Sequence, residues 1–223
     1  MKLIEYADRD MMMIDLADTL AGELKSCLLT HDRASFSVPG GTTPGPVFDT
    51  LSGVDLQWSR ISVFLNDERW VPQDHARSNA RLVRERLLVD KAVGADFLPF
   101  YDGSDQPETA LPMLKARIDP LLPISVLLLG MGADLHTASL FPGADLLEKA
   151  LSSDAPPVMA LRADAAGEPR LTLTAPVLKG ALSTHVVITG REKRDALEAG
   201  RHAPVVQAPV RTVLDTATVH WAE

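Results

Sequence analysis

Residues 124–143 read ISVLLLGMGADLHTASLFPG. Ile124 to Leu129 carry no charge and stop abruptly at Gly130-Met131-Gly132. A short uninterrupted apolar run bounded by glycine is the pattern of a strand buried on both faces, as in a parallel sheet covered by helices. Ligands of open α/β sheets collect just beyond the carboxyl ends of such strands. That position holds Asp134, His136, Thr137 and Ser139, and Phe141-Pro142-Gly143 closes the loop. The stretch predicts a central strand with the floor of an active site directly after it.

Three more apolar runs extend the pattern. Ala34–Val38 leads into PGGTTPG at 39–45. Gly40 and Gly41 let the backbone approach a ligand, and Thr43 before Pro44 predicts an N-cap with proline at the first helical position. Together with the Thr42 hydroxyl this makes either an anion cradle of amide N–H groups or a plain strand-to-helix turn. No Gly-Lys-Ser/Thr follows, so it is not a Walker loop. Ile61–Leu65 ends in Asn66-Asp67-Glu68-Arg69-Trp70-Val71-Pro72. Arg69 offers a planar fork to a phosphate, with Asp67 or Glu68 orienting it, unless the run is only a solvated charged loop. His185–Thr189 is the last buried strand. The helix after it opens with Gly190-Arg191-Glu192-Lys193, where a lysine opposes the helix dipole unless an anion sits nearby. The alternative is a surface lysine.

The intervening text predicts helices. Met13, Leu16, Leu20, Leu24, Cys27 and Leu28 form one apolar face over about 11–30. Ser78 caps a second helix running to about Leu88, a third covers 107–121, and Thr174 caps a fourth over 175–181. Residues 97–100 and 168–174 are expected as short strands, the latter carrying Arg170 and Thr172. Arg211–Leu214 and Thr218–Trp221 are expected to add one or two more. Strands alternating with helices predict an α/β fold with a mostly parallel sheet, and 223 residues fit one domain over 1–223.

A net charge of -8 argues against nucleic acid or an anionic membrane as the main partner, yet leaves room for a small anion held by local arginines. Cys27 is the only cysteine, which rules out an intramolecular disulfide, speaks against a thiolate metal site and fits a reducing, cytoplasmic setting. No run has signal-peptide character or approaches the ~20 apolar residues of a membrane span. Gly130-x-Gly132 lacks the third glycine of a dinucleotide fingerprint, and Asp134 with His136 lacks an evident third metal ligand. Ser139 lacks the G-x-S-x-G elbow of a serine nucleophile. His136, beside Asp134 and after a buried strand, is a credible general base.

PGGTTP (39–44), NDERWVP (66–72) with Ser78-Asn79, GMGADLHTASLFPG (130–143), Arg170-x-Thr172 and Gly190-Arg-Glu-Lys193 together resemble the 6-phosphogluconolactonase family, over nearly the whole chain. The resemblance implies a cytosolic, cofactor-independent hydrolase of the oxidative pentose phosphate pathway. It also implies a Rossmann-like three-layer αβα fold shared with glucosamine-6-phosphate deaminases and ribose-5-phosphate isomerases. His136 would activate water against the carbonyl of a phosphosugar lactone, with Asp134 orienting the histidine or a sugar hydroxyl. Gly40, Gly41, Thr42, Thr43, Arg69, Lys193 and Arg170 would hold the 6-phosphate, with Asp67 beside them. No metal is implied, and the assembly would be a monomer or homodimer.

Two residues depart from the family pattern. Thr42 replaces a common serine and keeps the hydroxyl. Leu135 stands where glycine is usual; at a positive φ it would be strained or the loop re-routed, and its side chain could fill part of the sugar pocket. A working enzyme is therefore expected, its phosphate-binding parts intact and its rate open to impairment by Leu135, with Leu135→Gly raising that rate. The rival readings are a sugar-phosphate deaminase or isomerase, and a sugar-phosphate-binding protein without turnover.

Overall fold

A computed structural model describes all residues from Met1 to Glu223. In chain order the strands are β1 (Lys2–Glu5), β2 (Ala34–Val38), β3 (Ile61–Leu65), β4 (Asp67–Arg69), β5 (Asp96–Leu98), β6 (Val126–Gly130), β7 (Val158–Leu161), β8 (Arg170–Leu173), β9 (Ser183–Thr189) and β10 (Thr218–Ala222). The α-helices are α1 (Arg9–Thr30), α2 (Gly45–Ser52), α3 (Asn79–Arg86), α4 (Leu111–Ile118), α5 (Leu147–Leu151), α6 (Ala175–Lys179), α7 (Arg191–Gly200) and α8 (Arg211–Leu214).

Seven strands form one sheet in the order β1-β10-β9-β6-β2-β3-β5, and all its pairings are parallel. From β2 the chain winds outward through β3 to β5; it then returns to β6 on the other side of β2 and winds the opposite way. The order thus reverses between β2 and β6, which opens a crevice beyond their carboxyl ends. All five residues of β2 and of β3 are buried, as are the first four of β6. The helices flank this sheet, giving the expected α/β architecture, and 58 buried residues make one apolar cluster.

The second sheet is small and antiparallel, in the order β4-β8-β7. It was not legible from periodicity: β4 is only three residues, Asp-Glu-Arg, and reads as a charged loop. Here Arg69 pairs with Arg170 and Asp67 with Thr172. The small sheet is fastened to the large one where the Leu173 amide donates to Asn66 O at 2.8 Å.

Several local expectations are corrected. Arg211–Leu214 is a helical turn, not a strand; its amides bond three residues back, as in Val213 N to Val210 O. Thr43 does not cap α2. Pro44 already has helical angles (φ -77, ψ -13) and occupies the cap, which leaves the Thr43 hydroxyl free. Thr174 occupies the α6 cap position, but its hydroxyl donates to Pro156 O at 2.7 Å instead. Ser78 does cap α3, accepting from Arg81 N. The segment 107–121 is α4 flanked by 3-10 turns.

Below the large sheet, β9, β10 and α1 enclose a chain of polar side chains. The Tyr6 hydroxyl donates to Asp15 (2.6 Å), so it accepts from His220 Nδ1 (2.8 Å). His220 Nε2 meets His185 Nδ1 at 3.0 Å, and His185 Nε2 meets Glu23 at 2.9 Å. Burial, reinforced by the neighbouring His185, pulls His220 down to a pKa of about 4.

Candidate active site

The crevice between β2 and β6 holds a cavity of about 340 Å³. Of the ten residues given catalytic or phosphate-binding roles from the sequence, nine line it, and Asp134 stands behind His136. Gly40, Gly41, Thr42 and Thr43 come from the loop after β2, and Asp67 and Arg69 from β4. His136 comes from the loop after β6, Arg170 from β8 and Lys193 from the first turn of α7. Gly41 sits at φ +86, a conformation that side chains rarely adopt.

The loop after β6 is a tight turn. Leu135 N donates to Gly132 O and Gly132 N to His136 O, both at 3.0 Å. Gly132 is required by close approach: a Cβ there would lie 2.2 Å from His136 Nδ1. Asp134 Oδ1 accepts from His136 Nδ1 at 2.5 Å and from its amide at 3.3 Å. That bond places the Nδ1 proton and leaves Nε2 as the basic nitrogen. Burial raises the Asp134 carboxyl, but the His136 bond and charge outweigh it, so its pKa lies below the ordinary value and it stays ionised. The His136 ring stacks on Phe141 (centroids 4.1 Å apart), and the Arg170 guanidinium lies over the same ring at 5.6 Å. Phe141 therefore spaces the base from a cation.

The cations come from unlike places. Arg69 and Arg170 face each other across the β4–β8 ladder, where like charges repel. Arg69 Nη1 donates to Arg77 O at 2.7 Å, and Arg170 Nη2 to Ala166 O at 2.8 Å. The Nε atom of each is buried without a partner. Burial lowers the Arg170 pKa, Asp67 raises it in part, and Arg69 lowers it further. Half-buried Lys193 is likewise lowered by burial, against the pull of Glu192 and Asp134. Three cationic side chains thus line one cavity, an arrangement that an anion completes.

The expectation that Asp67 or Glu68 orients Arg69 is corrected. Asp67 accepts instead from Ser139 Oγ (2.5 Å) and Asn79 Nδ2 (3.3 Å). Glu68 is fully buried and accepts from Asn79 N, Ala80 N and Arg69 N, each at 2.8 Å, and from Ser78 Oγ at 3.1 Å. It caps α3. Ser139 in turn donates its amide to Thr172 Oγ1 at 3.1 Å, which welds the loop after β6 to the small sheet. Sequence reasoning missed the roles of Asn79, Ser139 and Phe141 as supports, although all three lie in the motifs it quoted.

Leu135 has φ +68, the strained conformation foreseen for it. Its side chain packs against the core and is not part of the cavity wall, so the expectation that it fills the sugar pocket is corrected. A second cavity of about 260 Å³ lies by Cys27, His31 and Arg33. Its polar groups are already matched, Ser35 with Ser125 and Arg33 with Ser62 and Asp96. No helix is long and apolar enough to cross a membrane.

Comparison with known proteins bears on the same loops. A 6-phosphogluconolactonase of Rhizobium meliloti is 39% identical over 214 residues, 93% of this chain and 92% of the relative. One of Pseudomonas aeruginosa is 40% identical over 210 residues, covering 92% and 88%. The crystal structure of a 6-phosphogluconolactonase from Shewanella baltica superposes with a TM-score of 0.96 at 30% identity, covering 100% of this chain and 97% of that one. A monomeric glucosamine-6-phosphate deaminase shares the fold alone, with a TM-score of 0.84 at 16% identity. The profile described as glucosamine-6-phosphate isomerases/6-phosphogluconolactonase matches residues 7–221. With the switch-point cavity, the His136 loop and the arginine pair all falling inside that match, the chain belongs to the glucosamine-6-phosphate isomerase/6-phosphogluconolactonase family.

Proposed function

We propose that the chain hydrolyses 6-phospho-D-glucono-1,5-lactone to 6-phosphogluconate. One observation carries this reading: a single cavity is lined by Arg69, Arg170 and Lys193 together with a histidine whose Nε2 is free and whose Nδ1–H is held by a carboxylate. The cations and the Gly40–Thr43 loop hold the 6-phosphate. His136 Nε2 takes a proton from water as its oxygen bonds to the lactone carbonyl carbon. The tetrahedral oxyanion collapses, the bond to the ring oxygen breaks, and that oxygen receives the proton from His136. Asp134 steadies the imidazolium between the two transfers. Water is the only co-reactant the balance needs. The single apolar core supports one domain over 1–223; the same proposal places it in the cytoplasm as a monomer or homodimer.

The test is hydrolysis of freshly generated lactone, with the spontaneous rate subtracted. A positioned base contributes ~100- to 10,000-fold, so His136→Ala should lose at least ~100-fold in kcat. Wild-type turnover no better than background, with phosphosugar binding retained, would make this a binding protein. Ammonia released from glucosamine 6-phosphate would make it a deaminase.

A further inference from the structure

Leu135 occupies a left-handed backbone position and yet carries a bulky side chain. The reason lies across the loop, at the end of α7. A Cβ added at Gly200 would lie 2.2 Å from Leu135 Cδ1, 3.1 Å from Cδ2 and 3.2 Å from Cγ. Rotation about the Cβ–Cγ bond moves the two methyls but leaves Cγ at its tight 3.2 Å, so turning the tip alone does not clear the notch and the whole side chain has to swing or shift. The backbone is tied to the same region, because Val210 N donates to Leu135 O at 3.0 Å. Its own amide closes the Gly132 turn, and the next residue is His136.

We propose that Leu135 is a positioning residue: its side chain seats in the notch Gly200 leaves in α7 and thereby fixes the turn that presents His136 to the cavity. What His136 does there rests on the lactonase reading; the seat itself does not. Glycine is a poor helix former, and alanine normally improves a helical site. Gly200 keeps α7 open for the leucine. The residue that departs from the family pattern is therefore an anchor rather than an obstruction, and Leu135→Gly lowers kcat instead of raising it.

The test uses four full-length proteins: wild type, Gly200→Ala, Leu135→Gly and the double variant. In the wild-type background Gly200→Ala should lower kcat about tenfold, which corresponds to about 1.4 kcal/mol of coupling. KM should hold within about twofold, because Gly40–Thr43, Arg69 and Arg170 stand on other elements and Lys193 lies in the first turn of α7, at the opposite end from Gly200. The same change should shift the His136 ring resonance in a proton–carbon NMR spectrum and lower Tm. In the Leu135→Gly background it should leave kcat and the His136 resonance alone and raise Tm. Should Gly200→Ala fail to fold, folding restored by Leu135→Ala, which vacates the notch, supports the seat. Equal effects of Gly200→Ala in both backgrounds, or a His136 resonance that does not move, would overturn it. A wild type without lactone turnover would sink the lactonase reading only, since the resonance and the sign of the Tm change still decide the seat.

Discussion

Replacing Arg170 by methionine separates the anion-binding work of the site from its chemistry. The guanidinium is buried, with one N–H on Ala166 O and its Nε unpaired. A hydrogen bond to a charged group contributes roughly 1.5–3 kcal/mol. At 1.4 kcal/mol per decade, losing one such bond to the phosphate raises KM roughly 10- to 140-fold. The phosphate is remote from the breaking bond, so kcat should stay within about threefold. The unliganded protein should barely notice. Removing an unsatisfied buried donor recovers roughly 1–3 kcal/mol. Losing the Ala166 bond and the contact over Phe141, the latter about 0.5–2 kcal/mol, offsets it. Glu168 is not orphaned, because Arg77 still holds it at 2.7 Å. The assay is the initial rate of acid release from fresh lactone at several concentrations, with thermal unfolding run with and without inorganic phosphate. Wild type should gain Tm from phosphate and Arg170→Met should lose that gain. A collapse of kcat at constant KM would place Arg170 at the reacting carbon. An unchanged KM with an unchanged phosphate effect would remove it from the site.

Phe141→Leu should lower kcat by roughly 3- to 10-fold, the worth of an aromatic stack of about 0.5–1.5 kcal/mol, because the His136 ring loses its backing; equal kcat in the two proteins would show that the stack does not position the base. Stability should fall with acid between the ordinary value of 6.5 and about 4. His220 is kept neutral in the fold and protonates in the unfolded chain, so its contribution is complete above that window and is lost as pH falls through it, by at most about 3 kcal/mol. The Glu23 carboxyl is pushed up by burial but pulled down further by His185, Ser183 and His220 together, so it adds a loss of the same sign at lower pH. Denaturant midpoints at pH 7 and pH 5 should converge in His220→Gln, and an undiminished gap would clear His220 of the effect.

What the sequence disclosed follows from what each segment buries. The strands β2, β3, β6 and β9 are enclosed on both faces and leave uninterrupted apolar text, so the sheet and the residues at its carboxyl edge were legible. Nine of the ten nominated site residues accordingly meet in one cavity. The small antiparallel sheet was not legible, because β4 is held by ladder bonds to β8 rather than by an apolar pattern. Polar supports were also hidden. Glu68 reads as one member of a charge run, and only the folded chain brings three amides and a hydroxyl onto its carboxylate. Leu135 shows the same limit: residue type and spacing foretold its backbone strain, while the direction of its side chain depends on a glycine 65 positions later.

The place of β1 at the edge of the large sheet has a consequence for how the chain is made. Lys2–Glu5 pairs with β10 alone, in register with Thr218–Trp221. On a ribosome, β1 therefore has no ladder to join until residues 218–222 have been translated. Tyr6 waits equally long for His220, and Glu23 for a His185 braced from behind. The opening of α1 can dock on nascent neighbours, but β1 stays unclaimed until the other six strands of its sheet have been made. Lys2–Glu5 is thus the strand of this sheet that waits longest for its partner, and its closure on β10 completes the sheet.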